Sequence, residues 1–273
     1  MNLADLQTRG FVVINDFINT SEVHNLITDY ENTLQINTNS SNAPIDYPKY
    51  HYYKILTSST PHRLNERILR LLEQIRCETD LQVDFCDSDG DYFDTSLKKY
   101  DWHLDNEEYY LYQNAYHHLN FWIPLIKPNA SESGMSVVPC DQLGDAKTLL
   151  RARGAARFYP LGKKYTAMED QEFGGKHLLK LNFDELAETP SLKVGDCFVL
   201  RGDVIHRTQE ATTERVAYST RCHYSQGWIS REHFWKNRSP NKNIMINNNP
   251  GLYRRVINAL EQKEHVQAIE VLL

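Results

Sequence analysis

The chain has 273 residues, of which 41% are hydrophobic and 24% are charged, and its formal net charge is −6. This composition is typical of a globular protein with one large core, and the negative charge argues against a broad nucleic-acid-binding surface. No apolar run is long enough for a transmembrane helix, and the first residues lack a signal-peptide pattern. The five cysteines are scattered, so we expect a reduced, cytoplasmic protein without a membrane partner.

The first 80 residues predict one strand and two helices. Residues 10–14 form a short apolar run that predicts a buried strand. Residues 19–22 offer a helix N-cap, and apolar residues follow at helical spacing. Pro61 begins a second helix with one apolar side.

From about residue 81 the sequence becomes rich in short β segments separated by turn residues. The clearest are 92–104, 118–126, 135–138, 196–201 and 215–224. They are interrupted at 141–192 by a charged, glycine-containing insertion that we expect to act as a lid, and 251–273 predicts a final helix. The fold class is therefore mainly β with flanking helices. We expect one domain over 1–273, closed as a cupin-like jelly roll, or double-stranded β-helix.

His103 and Asp105 form the first candidate metal-binding pair. In an extended chain, side chains two residues apart point to the same face, so both could bind one ion. Two imidazoles and one carboxylate are the protein ligands of a non-haem Fe(II) oxygenase site. Such a site needs a second histidine.

His206 is the candidate for this second histidine. It follows a predicted buried strand, 196–201, and a turn at 201–203 that returns the chain towards the first pair. Three protein ligands leave the other iron positions open for a co-substrate and O2. The alternative is that His206 is an ordinary strand histidine.

Arg215 and Arg221 lie six residues apart on a predicted strand, so they share a face. A buried arginine needs an anionic partner, and its planar guanidinium suits a bidentate carboxylate. A dicarboxylate that chelates iron at one end and meets an arginine at the other would supply it. The alternative is a structural salt bridge to one of the many acidic residues.

These residues resemble the phytanoyl-CoA dioxygenase family of Fe(II)- and 2-oxoglutarate-dependent oxygenases. The similarity covers most of the chain. The matching segments are Gly10–Ile14, the His103-Leu104-Asp105 motif, Gly134–Pro139, Gly195-Asp196, His206 and Arg215.

The resemblance implies a double-stranded β-helix that uses Fe(II), 2-oxoglutarate and O2. It makes His103, Asp105 and His206 the metal ligands and catalytic centre, and it places Trp122 and Thr208 near the co-substrate. Three features differ from the common family pattern. Cys140-Asp141 stands where Gly-Ser-His is frequent, and Arg207-Thr208 stands where Gly-Ser is frequent. The nine-residue spacing from His206 to Arg215 is also slightly short, which leaves Arg221 as a rival anchor for 2-oxoglutarate.

The predicted reaction is hydroxylation of an unactivated C–H bond of a small polar metabolite, with release of succinate and CO2. Asp105 favours hydroxylation, because related halogenases lack this carboxylate so that a halide can bind. Glu108 is a candidate for binding a cationic substrate end, although a solvated turn is the alternative. With Arg221 meeting a substrate carboxylate, such a pocket would suit a free amino acid or a derivative.

Three other functions remain open from the sequence. A desaturase or cyclase of a natural-product pathway would use the same iron site. A non-enzymatic cupin-like binding or sensing protein would keep the fold without the reaction. A zinc hydrolase would use the same three ligands but would leave Arg215 unexplained. The sequence makes no prediction of oligomeric state.

Overall fold

The computed structural model describes residues 2–39, 51–54, 59–86, 90–94, 101–104, 115–147, 150, 156–170, 174–209, 214–236, 246 and 250–272. The helices are α1 (Ala4–Thr8), α2 (Thr20–Asn39), α3 (Ser59–Glu78), α4 (Phe183–Leu186), α5 (Arg231–Lys236), α6 (Pro250–Gln262) and α7 (Ala268–Leu272). No helix in these ranges is long and apolar enough to cross a membrane.

Strands make up most of the remaining regular structure. They are β1 (Phe11–Ile14), β2 (His51–Lys54), β3 (Phe85–Cys86), β4 (Asp91–Asp94), β5 (Leu119–Ile126), β6 (Met135–Val138), β7 (Ala156–Leu161), β8 (Tyr165–Asp170), β9 (Lys176–Leu179), β10 (Cys197–Arg201), β11 (Ile205–Thr208), β12 (Val216–His223), β13 (Trp228–Ser230) and β14 (His265–Gln267). The strand predicted over 92–104 corresponds to β4 and, after residues outside the described ranges, to a short extended segment at 101–104.

The larger sheet contains seven antiparallel strands. Its order is β1-β10-β5-β12-β4-β2, and β3 pairs with β12 as well. The central strands β5 and β10 are buried almost throughout. They are apolar on both sides because helices cover one face of the sheet and a second sheet covers the other.

Helix α3 shows how the outer face is covered. Leu64, Ile68, Leu72 and Ile75 recur at helical spacing and are buried against β5 residues such as Phe121. Full burial of one such side chain stabilises the fold by about 1.5–3 kcal/mol. The helix therefore fixes the outer face of the larger sheet, whose inner face lies opposite the smaller sheet.

The smaller sheet forms around the segment 101–104. Strand β11 pairs with β6, and β7-β8-β9 form an antiparallel ladder. Isolated bridges from His103 to His206 of β11 and to Arg157 of β7 join these two parts. The sheet thus runs in the order β6, β11, segment 101–104, β7, β8, β9.

The two sheets enclose an apolar layer that includes Phe11, Trp122, Val137 and Phe198. These residues come from β1, β5, β6 and β10, so the layer joins the inner faces of both sheets. Two packed antiparallel sheets of this kind form the predicted jelly roll.

Two further regions complete the described structure. The segment 141–192 contains β7, β8, β9 and α4, and its strands extend the smaller sheet. Whether this segment moves as a lid stays a prediction. In the C-terminal region predicted to be helical, α6 is followed by β14 and α7, and β14 pairs with β13 around a separate apolar cluster.

Candidate active site

His103 and His206 are directly opposite each other on neighbouring strands of the smaller sheet. The backbone N–H of each residue donates to the carbonyl oxygen of the other, and both N···O distances are 3.0 Å. Directly opposed residues of an antiparallel pair place their side chains on the same face. The two imidazole centroids are 4.3 Å apart, with an angle of 53° between the ring planes.

Each ring is also held by a backbone carbonyl. His103 Nδ1 lies 2.7 Å from the oxygen of Asp101, and His206 Nδ1 lies 3.0 Å from the oxygen of Val204. A carbonyl oxygen only accepts, so both Nδ1 atoms carry the proton and donate it. The Nε2 atoms therefore present lone pairs on the same face, as metal-binding histidines do.

The alternation of burial around His103 supports an extended chain. Trp102 and Leu104 lie in an apolar cluster with Phe158 and Ile205, on the face opposite to the imidazole. Asp105, the predicted third ligand, and Glu108 lie outside the described residues. Among the described residues no three His, Cys, Asp or Glu side chains form a metal-binding group, so the role of Asp105 stays a prediction.

Arg215 is only 1% exposed and lies directly before β12. Its Nη1 donates to the carbonyl oxygen of Gln209 at 2.8 Å. Gln209 follows Thr208, the last residue of β11. Thr208 lies two residues after His206 in the same strand. The structure therefore brings the guanidinium to the end of the strand that carries Thr208.

Lys127 is a second cation at this end of the barrel, and the sequence analysis missed it. Its Nζ donates to the carbonyl oxygen of Leu192 at 2.8 Å and to that of Ala130 at 3.3 Å. Burial, and then the positive charge of Arg215, lower the pKa of Lys127 to about 8. The only sign in the sequence was a lysine immediately after a nine-residue β segment without charges.

The close packing at Gly134 shows how tightly this end is built. A Cβ atom there would lie 3.1 Å from Gln209 Oε1 and 3.8 Å from Lys127 Nζ. The backbone N–H of Gly134 donates to the same Oε1 at 2.7 Å. Two cations and a fixed amide thus lie close to the end of β11, and this concentration of positive charge favours an anion.

Arg221 lies at the opposite end of β12. Ala217 belongs to the interior apolar layer, whereas Val216, Tyr218 and Cys222 pack beneath the helices. Alternation along the strand therefore places Arg215 and Arg221 on the interior face, as predicted, separated by roughly 20 Å at about 3.4 Å per residue.

Trp122 and the polar residues of the interior lie between these two arginines. Trp122 is opposite Ser219, and Asn120 is opposite Arg221. Ser219 Oγ donates to Asn120 Oδ1 at 2.7 Å. The interior face thus has an apolar section that contains Trp122 and a short polar section towards Arg221.

A buried histidine pair marks the Arg221 end of the barrel. His118 and His223 have their Nδ1 atoms 2.9 Å apart, so one Nδ1 donates and the other accepts. The carbonyl oxygen of His118 accepts from the N–H of Gly202, in the turn that leads to His206. Nothing in the local sequence indicated this pairing.

The geometry therefore combines two aligned imidazoles with a pair of cations beyond the end of the same strand. The family model for phytanoyl-CoA dioxygenase (PhyH) matches residues 6–217. The chain belongs to the phytanoyl-CoA dioxygenase family. Membership confirms the family predicted from the sequence, and no curated protein matches the chain significantly.

Solved structures share the fold at low sequence identity. The α-ketoglutarate-dependent epimerase SnoN from nogalamycin biosynthesis is 14% identical, with a TM-score of 0.54 over 84% of this chain and 83% of SnoN. The carbocyclase SnoK from the same biosynthesis is 15% identical, with a TM-score of 0.53 over 84% and 85%. EctD from S. alaskensis, crystallised with 2-oxoglutarate and 5-hydroxyectoine, is 14% identical, with a TM-score of 0.54 over 83% and 76%.

These likenesses confirm the jelly-roll fold. SnoN has also been crystallised with Fe3+ and α-ketoglutarate. Together with family membership, the comparisons support an oxygenase that depends on iron and 2-oxoglutarate, which agrees with the predicted use of Fe(II), 2-oxoglutarate and O2.

Proposed function

We propose that this protein is an Fe(II)- and 2-oxoglutarate-dependent hydroxylase that acts on an unactivated C–H bond of a small molecule. The observation that carries the proposal is the alignment of His103 and His206, whose Nε2 lone pairs lie on the interior face of the smaller sheet. Asp105 would complete the two-histidine, one-carboxylate set of such an iron site.

The donor chemistry of the described residues fits iron. Neutral imidazoles oriented by second-sphere carbonyls are common iron ligands, and no cysteine belongs to the set. Bound iron, with 2-oxoglutarate and O2, supplies the oxidising chemistry, and the reaction releases succinate and CO2. The protein supplies positions and charges for the reactants.

Arg215 is the proposed anchor for the far carboxylate of 2-oxoglutarate. It is buried, its planar guanidinium matches a carboxylate, and it reaches the strand end that carries Thr208. Lys127 adds a second positive charge beside it. Trp122 forms part of the apolar wall between this pocket and the Arg221 end.

Arg215 and Arg221 lie towards opposite ends of β12, so we assign them to different molecules. Arg221 remains the proposed partner of a substrate carboxylate, and Glu108 that of a cationic end.

Desaturation or cyclisation on the same site is the second candidate. The fold similarity to the carbocyclase SnoK and the epimerase SnoN favours it, because this fold supports outcomes other than hydroxylation. A non-enzymatic binding protein is disfavoured by the aligned histidines and the adjoining cationic pocket.

Anaerobic addition of Fe(II) and 2-oxoglutarate tests the metal site. We expect a weak visible metal-to-ligand charge-transfer band that is lost in His103→Ala and in His206→Ala. His24→Ala, an exposed residue of α2, is the matched control and should keep the band. A band of unchanged intensity in both site variants would contradict the proposed ligands.

Aerobic turnover tests the reaction itself. A panel of small molecules is screened for release of succinate, and products are analysed by mass spectrometry. A gain of one oxygen supports hydroxylation, and a loss of two hydrogens supports desaturation or cyclisation. Failure of every candidate to yield succinate with the Fe(II)-loaded protein would favour the binding-protein alternative.

A further inference from the structure

The smaller sheet continues past the candidate iron ligands, and its register shows which residues share their face. His206 is opposite His103, His103 is opposite Arg157, Arg157 is opposite Glu169, and Glu169 is opposite Lys176. Residues that are directly opposed in a sheet project to the same side. One row of side chains therefore runs from the iron ligands across β7, β8 and β9.

Four large apolar residues lie on this same face. Tyr159 and Leu161 of β7, Tyr165 of β8 and Leu178 of β9 are 43%, 50%, 39% and 59% exposed. Tyr159 is opposite Ala167, and Ala167 is opposite Leu178. Leu161 is opposite Tyr165. We call these four residues the β7–β9 apolar face.

A side-chain contact confirms this assignment of faces. Tyr159 Oη donates to Glu169 Oε2 at 3.1 Å, which joins the apolar face to the charged row. The reverse side of the ladder is closed, because Phe158, Met168 and Leu179 are buried in the cluster that contains Trp102. The exposed apolar side is thus the side that carries His103 and His206.

The size of this face is that of a ring system or a chain of several carbons. From Arg157 to Leu161 the strand advances roughly 13 Å, and three strands span roughly 10 Å across the sheet. Single exposed apolar residues are common, whereas a contiguous group marks a binding surface. The face begins beside the iron ligands, since opposed residues such as His103 and Arg157 have Cα atoms about 4.5–5.5 Å apart.

The charged row selects the kind of ligand. Beyond His103 the row contains three ionisable residues, which are Arg157, Glu169 and Lys176. Arg157 and Lys176 are cationic, and both are exposed. A guanidinium beside an apolar surface suits an anionic group attached to an apolar body.

We propose that the β7–β9 apolar face is the substrate-binding wall of the enzyme and that its ligand is an organic acid with an extended apolar body, such as a multi-ring acid. Arg157 pairs with the acid group, and the body lies along Tyr159, Leu178, Leu161 and Tyr165. This inference rests on the proposed function and narrows its substrate class, with Arg157 instead of Arg221 as the partner of the acid group. A free amino acid is too small to cover the face.

Binding to the metal-free full-length protein tests the wall independently of catalysis. The probe is anilinonaphthalenesulfonate, a two-ring sulfonate whose fluorescence rises in apolar surroundings. We expect Leu178→Glu and Leu161→Glu to weaken its binding by roughly tenfold or more, which corresponds to about 1.4 kcal/mol or more. Leu69→Glu, at a leucine of α3 that is 39% exposed, is the matched control and should bind as the wild type does.

The charge of the ligand is tested by Arg157→Gln. This variant should weaken binding of the sulfonate probe and leave binding of the neutral N-phenylnaphthylamine unchanged. Equal binding of the sulfonate probe by all variants would overturn the proposal. So would equal loss in Leu69→Glu.

Substrate preference gives the second measurement. With wild-type protein and Fe(II), naphthoic acids should stimulate succinate release more than free amino acids do, and the reverse order would overturn the inference. The charge-transfer band described above reports the iron site separately. Its absence would count against the proposed function, whereas the probe titration with metal-free protein judges the wall alone.

Discussion

The Arg215 side chain provides the sharpest test of the co-substrate pocket, because Arg221 offers a matched control on the same strand. Replacing either arginine with methionine removes the charge and keeps much of the apolar stem. Only Arg215 lies beside the end of β11, where Thr208 and Gln209 are located. We therefore expect Arg215→Met alone to weaken binding of 2-oxoglutarate.

The magnitude follows from the buried position of the guanidinium. A hydrogen bond to a charged group contributes about 1.5–3 kcal/mol, and a bidentate pair makes two coupled bonds. With the side chain only 1% exposed, water can replace little of this interaction. A loss of about 2–4 kcal/mol corresponds to roughly 30- to 700-fold weaker binding.

The assay is an anaerobic titration of the Fe(II)-loaded protein with 2-oxoglutarate, followed through the charge-transfer band. Arg221→Met should bind within about twofold of the wild type, and Arg215→Lys, which keeps the charge but loses the planar fork, should be intermediate. A stability check is needed because Arg215→Met removes the donor to the Gln209 carbonyl, at a cost of about 1 kcal/mol. Weak binding in Arg221→Met with normal binding in Arg215→Met would refute the assignment.

Three further predictions concern stability, each measured by denaturant unfolding. The pKa of Lys127 is lowered to about 8 in the folded state. Between about pH 8 and 10.5 the unfolded chain therefore binds more protons than the folded protein does. The free energy of unfolding due to this group should rise with pH over that range, by at most about 3 kcal/mol. Lys127→Met should lack this rise, and an unchanged pH dependence would contradict the burial of the amine. His118→Ala should cost about 1–3 kcal/mol because the His223 imidazole loses its partner, and a double-mutant cycle with His223→Ala should show coupling. Gly10→Ala should cost at least about 1–3 kcal/mol, because Gly10 has φ +90° and an added Cβ would lie 2.4 Å from Val204 Cγ2. Gly144→Ala, at φ +52° with no atom within 4 Å of the added Cβ, should cost less.

The strands that could be predicted from the sequence are those whose apolar runs are buried on both faces. The predicted segments 118–126 and 135–138 correspond closely to β5 and β6, and 196–201 to β10. Their burial in a two-layer fold leaves no exposed polar face, so the local sequence alone carries a strong signal.

The ladder β7-β8-β9 shows where this reasoning fails. β7 contains Pro160, which argues against a regular strand, and its exposed face carries both charged and apolar residues. Its burial pattern depends on the cluster around Trp102, more than fifty residues earlier in the chain. Partners this distant leave no periodic signal within the segment.

Site residues, like strands, could be predicted only where their position depends on the local sequence. The inward position of His103 and the interior face of β12 could be predicted because each depends on alternation within one strand. Lys127 and the pair His118–His223 could not, because their environments arise from the register between strands and from loops that meet at the barrel ends.

The sheet ladder around His103 holds the histidine pair in a fixed arrangement. Segment 101–104 is held on both sides, by β11 through two hydrogen bonds of 3.0 Å and by β7 through the bond from Phe158 N–H to the Trp102 carbonyl oxygen at 3.1 Å. Backbone carbonyls orient the two imidazoles before any metal arrives. The histidine pair is therefore preorganised, and the proposed iron ion would bind at little cost for ordering these two side chains. The same ladder fixes Arg157 beside His103, so a substrate on the proposed β7–β9 wall would be positioned by the backbone that also positions the candidate ligand His103.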